Sequence, residues 1–451
     1  MQLRTLNISV PALLCLMVVG CGGSSNGGGG GGGGGTQNPT SVTVTFSGES
    51  PTAVATQIGT GAFTPVTVAT STSSVTLSVP YGTKNFAVAW VCPAVQLSPS
   101  DTTTYQYVAE VTTTDATSYG FTCPLTSLPT VQTGTLTLSV DASAFALRTD
   151  ETWNYLTANA GNSTGFEFGS PDMTASNFSF AAPLGSDRVD LIVSNVDVVP
   201  GTAYVSLVAM KSFSDVAVPG VLNGGDTVTF TSADAAINEP ITYKNLQSGY
   251  TQPNYNEWIY PSGDTRVAAT SQGTAAAYQG LPATIAQSGD EYIVQASSAG
   301  DNVQGGPSGA IDVVTAQSSF QGEGPLTLTF PAPWTYGGPT PAALPSMNLA
   351  YSGFSGQSDI VENASLTWYP PTSYKTSYSD WVGASGNYLN GSQTLTFPDL
   401  SSLQGFNPNP VSGAGVTWEA NIFQGTPGLG QSNPTLGTLL NVSAVGVYTV
   451  P

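Results

Sequence analysis

Apolar and polar residues alternate with a period of two along most of the chain from Ser41 onward. Residues 42–46 (VTVTF) and 74–79 (SVTLSV) show the pattern clearly. Successive side chains of a strand point to opposite faces, so this alternation is typical of antiparallel strands with one buried face. Gly, Pro, Asn and Asp interrupt the strands at short intervals, and no long stretch has the 3.6-residue period of a helix. The pattern predicts an all-β protein built from antiparallel β-sandwiches.

One strand pattern recurs at intervals close to the length of a sandwich domain. Its copies are residues 42–46, 136–140, 227–230 and 326–330. The spacing of about 100 residues per sandwich predicts four tandem units, at 41–133, 134–224, 225–323 and 324–451. A further copy at 394–397 is interpreted as a second strand inside a longer last unit. The alternative is that such alternation recurs by chance in a strand-rich, Thr-rich protein.

The predicted architecture resembles bacterial immunoglobulin-like domains and related sandwich repeats. This resemblance rests on the length of the units and on their alternating strands. No motif in the folded region matches one family of such repeats, so it implies a fold and no specific activity.

The N-terminus has the features of an export signal. Residues 1–20 contain one cation, Arg4, and an apolar run at 10–19, which predicts a secretory signal peptide. The run is too short for a membrane-spanning helix, which needs about 20 residues. Residues 18–21, Val-Val-Gly-Cys, resemble the lipobox of bacterial lipoproteins. That resemblance implies cleavage before Cys21 and lipid attachment to its side chain; the alternative is an ordinary signal peptide.

The segment after the cysteine has the composition of a flexible tether. Residues 21–40 are rich in Gly and Ser, with an unbroken glycine run at 27–35. Such a chain buries no core and behaves as a disordered coil. In the lipoprotein family an Asp after the cysteine commonly favours the inner membrane, and Gly22 stands here instead. The resemblance therefore implies a lipid-anchored protein of the cell envelope, held at the outer membrane and facing the periplasm or the cell surface.

Two cysteines of the folded region are predicted to form a disulfide. Cys92 and Cys123 each end an apolar strand and each precede a proline. Export to an oxidising compartment permits the bond. The alternative is a pair of free buried thiols.

Composition and charge exclude several functions. Charged residues make up 8% of the chain, against roughly 25% in ordinary soluble domains. There is no histidine, which removes Ser-His-Asp triads, Cys-His pairs and His-ligated zinc. The net charge of −20 repels phosphate backbones, so nucleic acid is not expected as a partner. Glycoside hydrolysis needs only two carboxyl groups and stays open.

No cofactor is predicted, although two groups of carboxylates have the residue types that calcium binds. Oxygen ligands of the right type occur at Asp187, Asp190 and Asp197, and again at Asp290, Glu291 and Asp301. Neither group has EF-hand spacing. The sequence therefore assigns no metal site.

An aromatic segment in the last unit is the main candidate for ligand binding. Residues 368–381 combine aromatic rings with hydroxyl groups and a carboxylate, which suits sugar rings and their hydroxyls. The candidate residues are Trp368, Tyr369, Tyr374, Tyr378, Asp380 and Trp381. The alternative is ordinary aromatic packing within a sandwich.

These observations favour one function and leave a second open. The first is a lipid-anchored, non-catalytic cell-envelope protein that serves as a structural or adhesive surface component. The second is a carbohydrate-binding or carbohydrate-processing surface lipoprotein that uses the aromatic segment. In both, the partners are the membrane, through the lipid, and a polysaccharide or protein surface.

Lipidation can be tested with one substitution and a matched control. Cys21→Ala removes the thiol that would carry the lipid, so mass spectrometry is expected to find no acylated N-terminus and fractionation no anchored mature protein. Cys15→Ala, within the signal peptide, is expected to leave both unchanged. Membrane anchoring of the Cys21→Ala protein at the wild-type level would contradict the lipoprotein interpretation.

Overall fold

The computed structural model describes the chain from Pro39 onward, with gaps. The described residues are 39–69, 73–98, 101–126, 132–147, 152–160, 163–168, 173–185, 188–199, 202–251, 253–260, 269–273, 277–300, 311–332, 338–349, 354, 360–370, 375–425 and 437–451. The predicted signal peptide, Cys21 and nearly all of the predicted tether lie outside them.

The described part of the chain is almost entirely β, as predicted. Its one short α-helix is α1 (Gly386–Leu389). Its strands are β1 (Thr40–Gly48), β2 (Ala53–Ile58), β3 (Thr64–Val66), β4 (Ser74–Val79), β5 (Asn85–Val91), β6 (Val95–Ser98), β7 (Asp101–Thr112), β8 (Ser118–Cys123), β9 (Thr133–Asp141), β10 (Thr152–Ala160), β11 (Ser163–Phe168), β12 (Thr174–Pro183), β13 (Val189–Val199), β14 (Thr202–Phe213), β15 (Gly220–Val221), β16 (Val228–Thr229), β17 (Ile237–Lys244), β18 (Asn254–Tyr260), β19 (Ala269–Gly273), β20 (Ala277–Gly280), β21 (Glu291–Gly300), β22 (Ile311–Gln321), β23 (Leu326–Thr329), β24 (Ser346–Asn348), β25 (Ile360–Trp368), β26 (Thr376–Ser385), β27 (Thr394–Thr396), β28 (Gly415–Gln424) and β29 (Gly437–Thr449).

Four small sheets have two to four described strands each: β4-β1-β8, β12-β9-β15 with β16, β20-β17-β23, and β24-β27. In the first three sheets, the central strand pairs antiparallel on one side and parallel on the other. Thus β1 is antiparallel to β4 and parallel to β8. Parallel partners need a long crossover, and here the intervening chain supplies strands of another sheet. The prediction of antiparallel strands therefore holds for most pairs and is wrong for the parallel pairs of these three sheets.

The strands that carry the recurring pattern occupy different places in these sheets. Two copies lie in the central strands β1 and β9. The copy at 227–230 contains β16, which pairs in parallel with β9, and the copy at 326–330 contains β23, which pairs in parallel with β17. Alternation reports that one face is buried, as at Val228 and Leu328, and says nothing about position in the sheet. The boundaries at 225 and 324 stay predictions, although strands on either side of each are paired.

A seventeen-stranded sheet runs through the described part of the molecule. Its pairings give the order β11-β10-β13-β14-β19-β18-β21-β22-β29-β28-β25-β26-β7-β5-β2-β3, with β6 also beside β7. The N-terminal strands therefore lie next to the C-terminal ones. The junction is the parallel ladder between β7 and β26, from the pair Thr102 and Thr376 to the pair Glu110 and Ala384.

The small sheets pack on the long sheet and enclose three clusters of buried apolar side chains. The first core joins β1, β4 and β8 to β5 and β7, as in the stacking of Phe121 on Trp90 at 4.4 Å between ring centroids. The second joins β9 and β12 to β10, β13 and β14. The third and largest spans the remaining sheets and includes Trp418. Strand β7 contributes to two of them, with Ala109 in the first core and Val108 in the third.

The predicted disulfide is present in the structure. Cys92 follows β5 of the long sheet, and Cys123 ends β8 of a small sheet. Their Cα atoms are 5.4 Å apart, and both side chains are buried. The bond therefore ties together the two layers of the first sandwich.

Removing this disulfide is expected to destabilise the first core. The double substitution Cys92→Ser and Cys123→Ser frees a loop spanning 31 residues, for which loop entropy predicts a loss of about 3 to 4 kcal/mol. Hydrogen exchange is expected to show the loss in β1 and β5 and to leave β28 unchanged, since β28 belongs to the third core. Equal exchange in mutant and wild type throughout β1 would contradict this role.

Candidate functional site

Most of the described candidates in the aromatic segment face the third core. Trp368, the last residue of β25, is 2% exposed, and its ring packs against Tyr378 at 5.8 Å between centroids. Asp380 shares the face of Tyr378 and is 4% exposed. Tyr369 is 47% exposed just beyond the strand. Tyr374 lies outside the described residues.

Trp381 lies on the opposite face of β26, because it is one residue beyond Asp380 on an extended strand. It is half-buried, and its Nε1 donates a hydrogen bond to Ser379 Oγ at 3.0 Å. Of the described candidates on β26, Trp381 alone faces away from the third core. A ligand role for the six residues stays a prediction, and the geometry separates Trp381 from its neighbours on the strand.

A groove forms beside Trp381, with two tyrosines of β7 in its wall. The parallel ladder places Trp381 opposite Tyr107 and Ser379 opposite Tyr105. The centroids of Tyr107 and Trp381 are 6.4 Å apart with 26° between the ring planes, and those of Tyr105 and Tyr107 are 6.2 Å apart with 21°. The three half-buried rings therefore form a row of nearly parallel planes.

The other groove residues come from neighbouring strands of the long sheet and from the disulfide region. The groove has a volume of about 350 Å³ and is further lined by Pro124, Ser365, Thr367, Ser379, Thr417, Trp418, Glu419 and Val445. Asn421 donates to Glu419 Oε1 at 3.0 Å and to Asn363 Oδ1 at 3.1 Å, which orients the carboxylate. Hydroxyl groups and one carboxylate thus stand beside the aromatic row.

Sequence reasoning missed Tyr105 and Tyr107. They are 274 residues before their register partners Ser379 and Trp381 (379 − 105 and 381 − 107), so no local pattern connects them. Their alternation as Tyr105, Gln106 and Tyr107 indicated that both rings share one face of a strand. It gave no indication that the strand is joined to the last unit.

The other face of the junction holds a buried polar network. Asp380 Oδ1 accepts a hydrogen bond from Asn407 Nδ2 at 2.8 Å, and the Asn407 backbone N–H donates to Gln106 Oε1 at 2.9 Å. On the groove face of the same ladder, the hydroxyls of Thr103 and Ser377 are 2.7 Å apart. Burial raises the pKa of Asp380 to about 7, against the lowering effect of the Asn407 hydrogen bond. These bonds fix the register of β7 on β26.

Polar contacts continue at the end of the junction near α1. Asp115 accepts hydrogen bonds from Ser385 Oγ and Asn387 Nδ2, both at 2.6 Å. Burial raises the pKa of Glu110 to about 7, and the hydrogen bond with Tyr388 partly offsets this. A second cavity of about 340 Å³ lies here, lined by Lys84, Asn85, Thr112, Thr114, Asn387 and Asn390. These contacts hold α1 against the first unit.

Glu257 is the most deeply buried of the carboxyl groups whose pKa is strongly raised. It is 1% exposed on β18, and its Oε2 accepts a hydrogen bond from the Gln279 backbone N–H at 2.9 Å. Burial raises its pKa to about 8, despite that bond. Glu110, Glu257 and Asp380 lie on three different strands and none lines the aromatic groove. Burial favours the protonated form of all three, and their positions assign them to the fold and not to the groove.

The carboxylates of the two calcium-type groups make hydrogen bonds within the fold where they are described. Asp190 Oδ1 accepts from Arg188 Nε at 2.9 Å and from Ser212 Oγ at 2.6 Å. Asp290 Oδ2 accepts from the Gln287 backbone N–H at 2.6 Å, and Glu291 accepts from Ser319. The described residues contain no group of three or more acidic or cysteine side chains that could hold a metal. Nothing is described for Asp187, Asp301 or the side chain of Asp197.

Comparison with known proteins adds little. No family model and no curated protein matches the chain. The solved structures include a proposed cell adhesion protein from Bacteroides eggerthii, with 13% identity and a TM-score of 0.14, over 59% of this chain and 97% of that one. A score this far below 0.5 supports no transfer of fold or function. Among the described residues, no helix is long and apolar enough to cross a membrane.

The raised pKa values predict that stability falls as the pH rises from about 4.5 to about 8. Across this range Glu257 is ionised in the unfolded chain and neutral in the folded one, so each further step in pH favours unfolding. Glu257→Gln keeps the acceptor for Gln279 and cannot ionise. We expect it to raise the free energy of unfolding at pH 8 by more than about 1 kcal/mol and to flatten its pH dependence.

Denaturation curves at pH 5 and pH 8 provide the measurement. Asp226→Asn is the control, because it removes one formal charge from an exposed residue and is expected to leave the pH dependence as in the wild type. A Glu257→Gln protein with the wild-type pH dependence would contradict a neutral, buried Glu257.

Proposed function

We propose that this protein is a lipid-anchored structural or adhesive component of the cell envelope and has no catalytic activity. The observation that carries this proposal is the seventeen-stranded sheet. Its main-chain hydrogen bonds connect the parts of the molecule that the separate small sheets cover. Forces on such a molecule are shared by many hydrogen bonds. The Cys92–Cys123 bond, which suits an oxidising compartment, supports export.

The junction between the first and last parts of the chain supports a load-bearing role. The β7–β26 ladder has nine residue pairs, and the Asp380, Asn407 and Gln106 network reinforces it. The β22–β29 ladder joins another pair of distant segments, from Ile311 with Val445 to Ser319 with Gly437. The tether leads into β1, whose small sheet is joined to the long sheet by the Cys92–Cys123 bond, so a pull on the tether would pass to the assembled molecule and not to one isolated sandwich.

The surface chemistry suits contact with neutral partners. The protein has 8 basic residues against 28 acidic ones, so it repels polyanions. Its outward-facing strand positions around the groove carry mainly hydroxyl and amide groups, as at Thr367, Thr417 and Asn363. Such groups exchange hydrogen bonds with water and with neutral polar surfaces at small net cost.

Surface display tests the proposal. The full precursor is expressed in a bacterial host that has an outer membrane and lacks this protein, and cells retained on abiotic and polysaccharide-coated surfaces under flow are counted. Detergent sensitivity is measured in parallel as an index of envelope strength. We expect a several-fold change in retention or in detergent survival, and loss of that change with Cys21→Ala, which would no longer anchor the protein.

Host cells with the protein in the envelope but unchanged in both properties would overturn the proposed role. An immunoblot of membrane fractions establishes that the precursor has reached the envelope. Cys15→Ala again serves as the matched control and is expected to behave as the wild type.

A further inference from the structure

We propose that the groove between β7 and the last unit binds a neutral oligosaccharide, whose rings stack on Tyr105, Tyr107 and Trp381. This inference deepens the proposed adhesive function, on which it rests, by naming the class of partner. The aromatic row is built by a junction between distant parts of the chain, and its chemistry is that of a ligand site with apolar walls and a few polar groups.

Strand register arranges the groove in two rows across four neighbouring strands. One row is Glu419, Ser365, Trp381 and Tyr107, and the other is Thr417, Thr367, Ser379 and Tyr105. With strands about 4.8 Å apart, each row extends roughly 14 Å. Aromatic rings therefore occupy one end of the groove and hydroxyl or carboxylate groups the other, over a length greater than one six-membered ring.

The rings are held in place before any ligand arrives. Tyr107 stacks on the buried Trp90 at 5.2 Å between centroids, with 16° between the planes. Trp381 is fixed by its hydrogen bond to Ser379. Rigid walls reduce the entropy that binding costs. The apolar faces of sugar rings can pack on such planes while their hydroxyls point toward Thr367, Thr417 and Glu419.

Charge selects against acidic ligands. Glu419 is the one charged side chain among the described residues that line the groove, and the net charge of the protein is −20. A sulfated or uronic acid chain would be repelled by the Glu419 carboxylate in the groove and by the net negative charge of the whole protein. A neutral sugar leaves the Glu419 carboxylate free to accept hydrogen bonds from its hydroxyls. The groove volume of about 350 Å³ lies within the usual range for small ligands, about 300 to 1,000 Å³.

A glycan array with the lipid-free mature protein tests the inference, followed by titration of the best ligand with tryptophan fluorescence. The Trp381→Ala protein is expected to bind at least about tenfold more weakly, since one ring contact of roughly 1.4 kcal/mol gives that factor. Tyr81→Ala is the control: it removes an exposed ring outside the groove and is expected to bind as the wild type. Thr417→Arg, at an exposed groove position, is expected to obstruct binding without touching the core.

Three results would overturn the inference: no neutral glycan bound by the wild type, preference for acidic glycans, or equal binding by wild type and Trp381→Ala. Near-UV circular dichroism shows whether each variant keeps its fold, and Thr417→Arg decides the question if Trp381→Ala unfolds. Host cells that adhere equally with wild type and Thr417→Arg, without glycan binding, would leave the adhesive function standing and remove the sugar site. Glycan binding without any adhesion or envelope effect would leave the sugar site standing and remove the proposed adhesive or structural function.

Discussion

The edges of β-strands impose the constraint on which this structure depends. An unpaired edge exposes backbone N–H and C=O groups and invites pairing with another chain. Many proteins protect such edges with charged side chains, but this chain has only 8 Lys and Arg residues in 451. Here the edges pair with one another. Strand β26 pairs with β7 and β22 pairs with β29, so strands from different parts of the chain form one sheet. The continuous sheet thus protects strand edges that other proteins protect with charged side chains.

The junction of β7 and β26 determines the chemistry on both of its faces. Both strands contribute to the third core on one face, so polar groups there must satisfy one another, and Asp380 is held with Asn407 and Gln106 in a buried network. Burial raises the pKa of Asp380 to about 7, which keeps part of the population neutral near physiological pH. On the other face the same register sets Trp381 beside Tyr107. The groove and the pH-sensitive network are therefore two consequences of one ladder.

The sequence predicts the all-β class and the partners of the disulfide because these depend on local patterns. Alternation identifies strands such as β1 and β4, and Cys92 and Cys123 stand at strand ends in a chain with a predicted export signal. Register and sheet order depend on contacts between distant residues. Alternation is the same for a central strand and for a strand that pairs in parallel with it at the edge. The pattern at 227–230 accordingly predicts a strand, while its parallel pairing with β9 required the structure.

The candidate ligand site shows the same division between local and distant information. Asp380 and Trp381 are adjacent, and Tyr378 and Trp381 are three residues apart, so on an extended strand each pair must point to opposite faces. Tyr378 and Trp381 therefore cannot converge on one ligand, although they are close in sequence. Convergence needs rings on neighbouring strands at the same register, and Tyr107 supplies one for Trp381. Any ligand held by these two rings contacts both strands of the junction, so its binding energy adds to the stability of the ladder that joins β7 to β26.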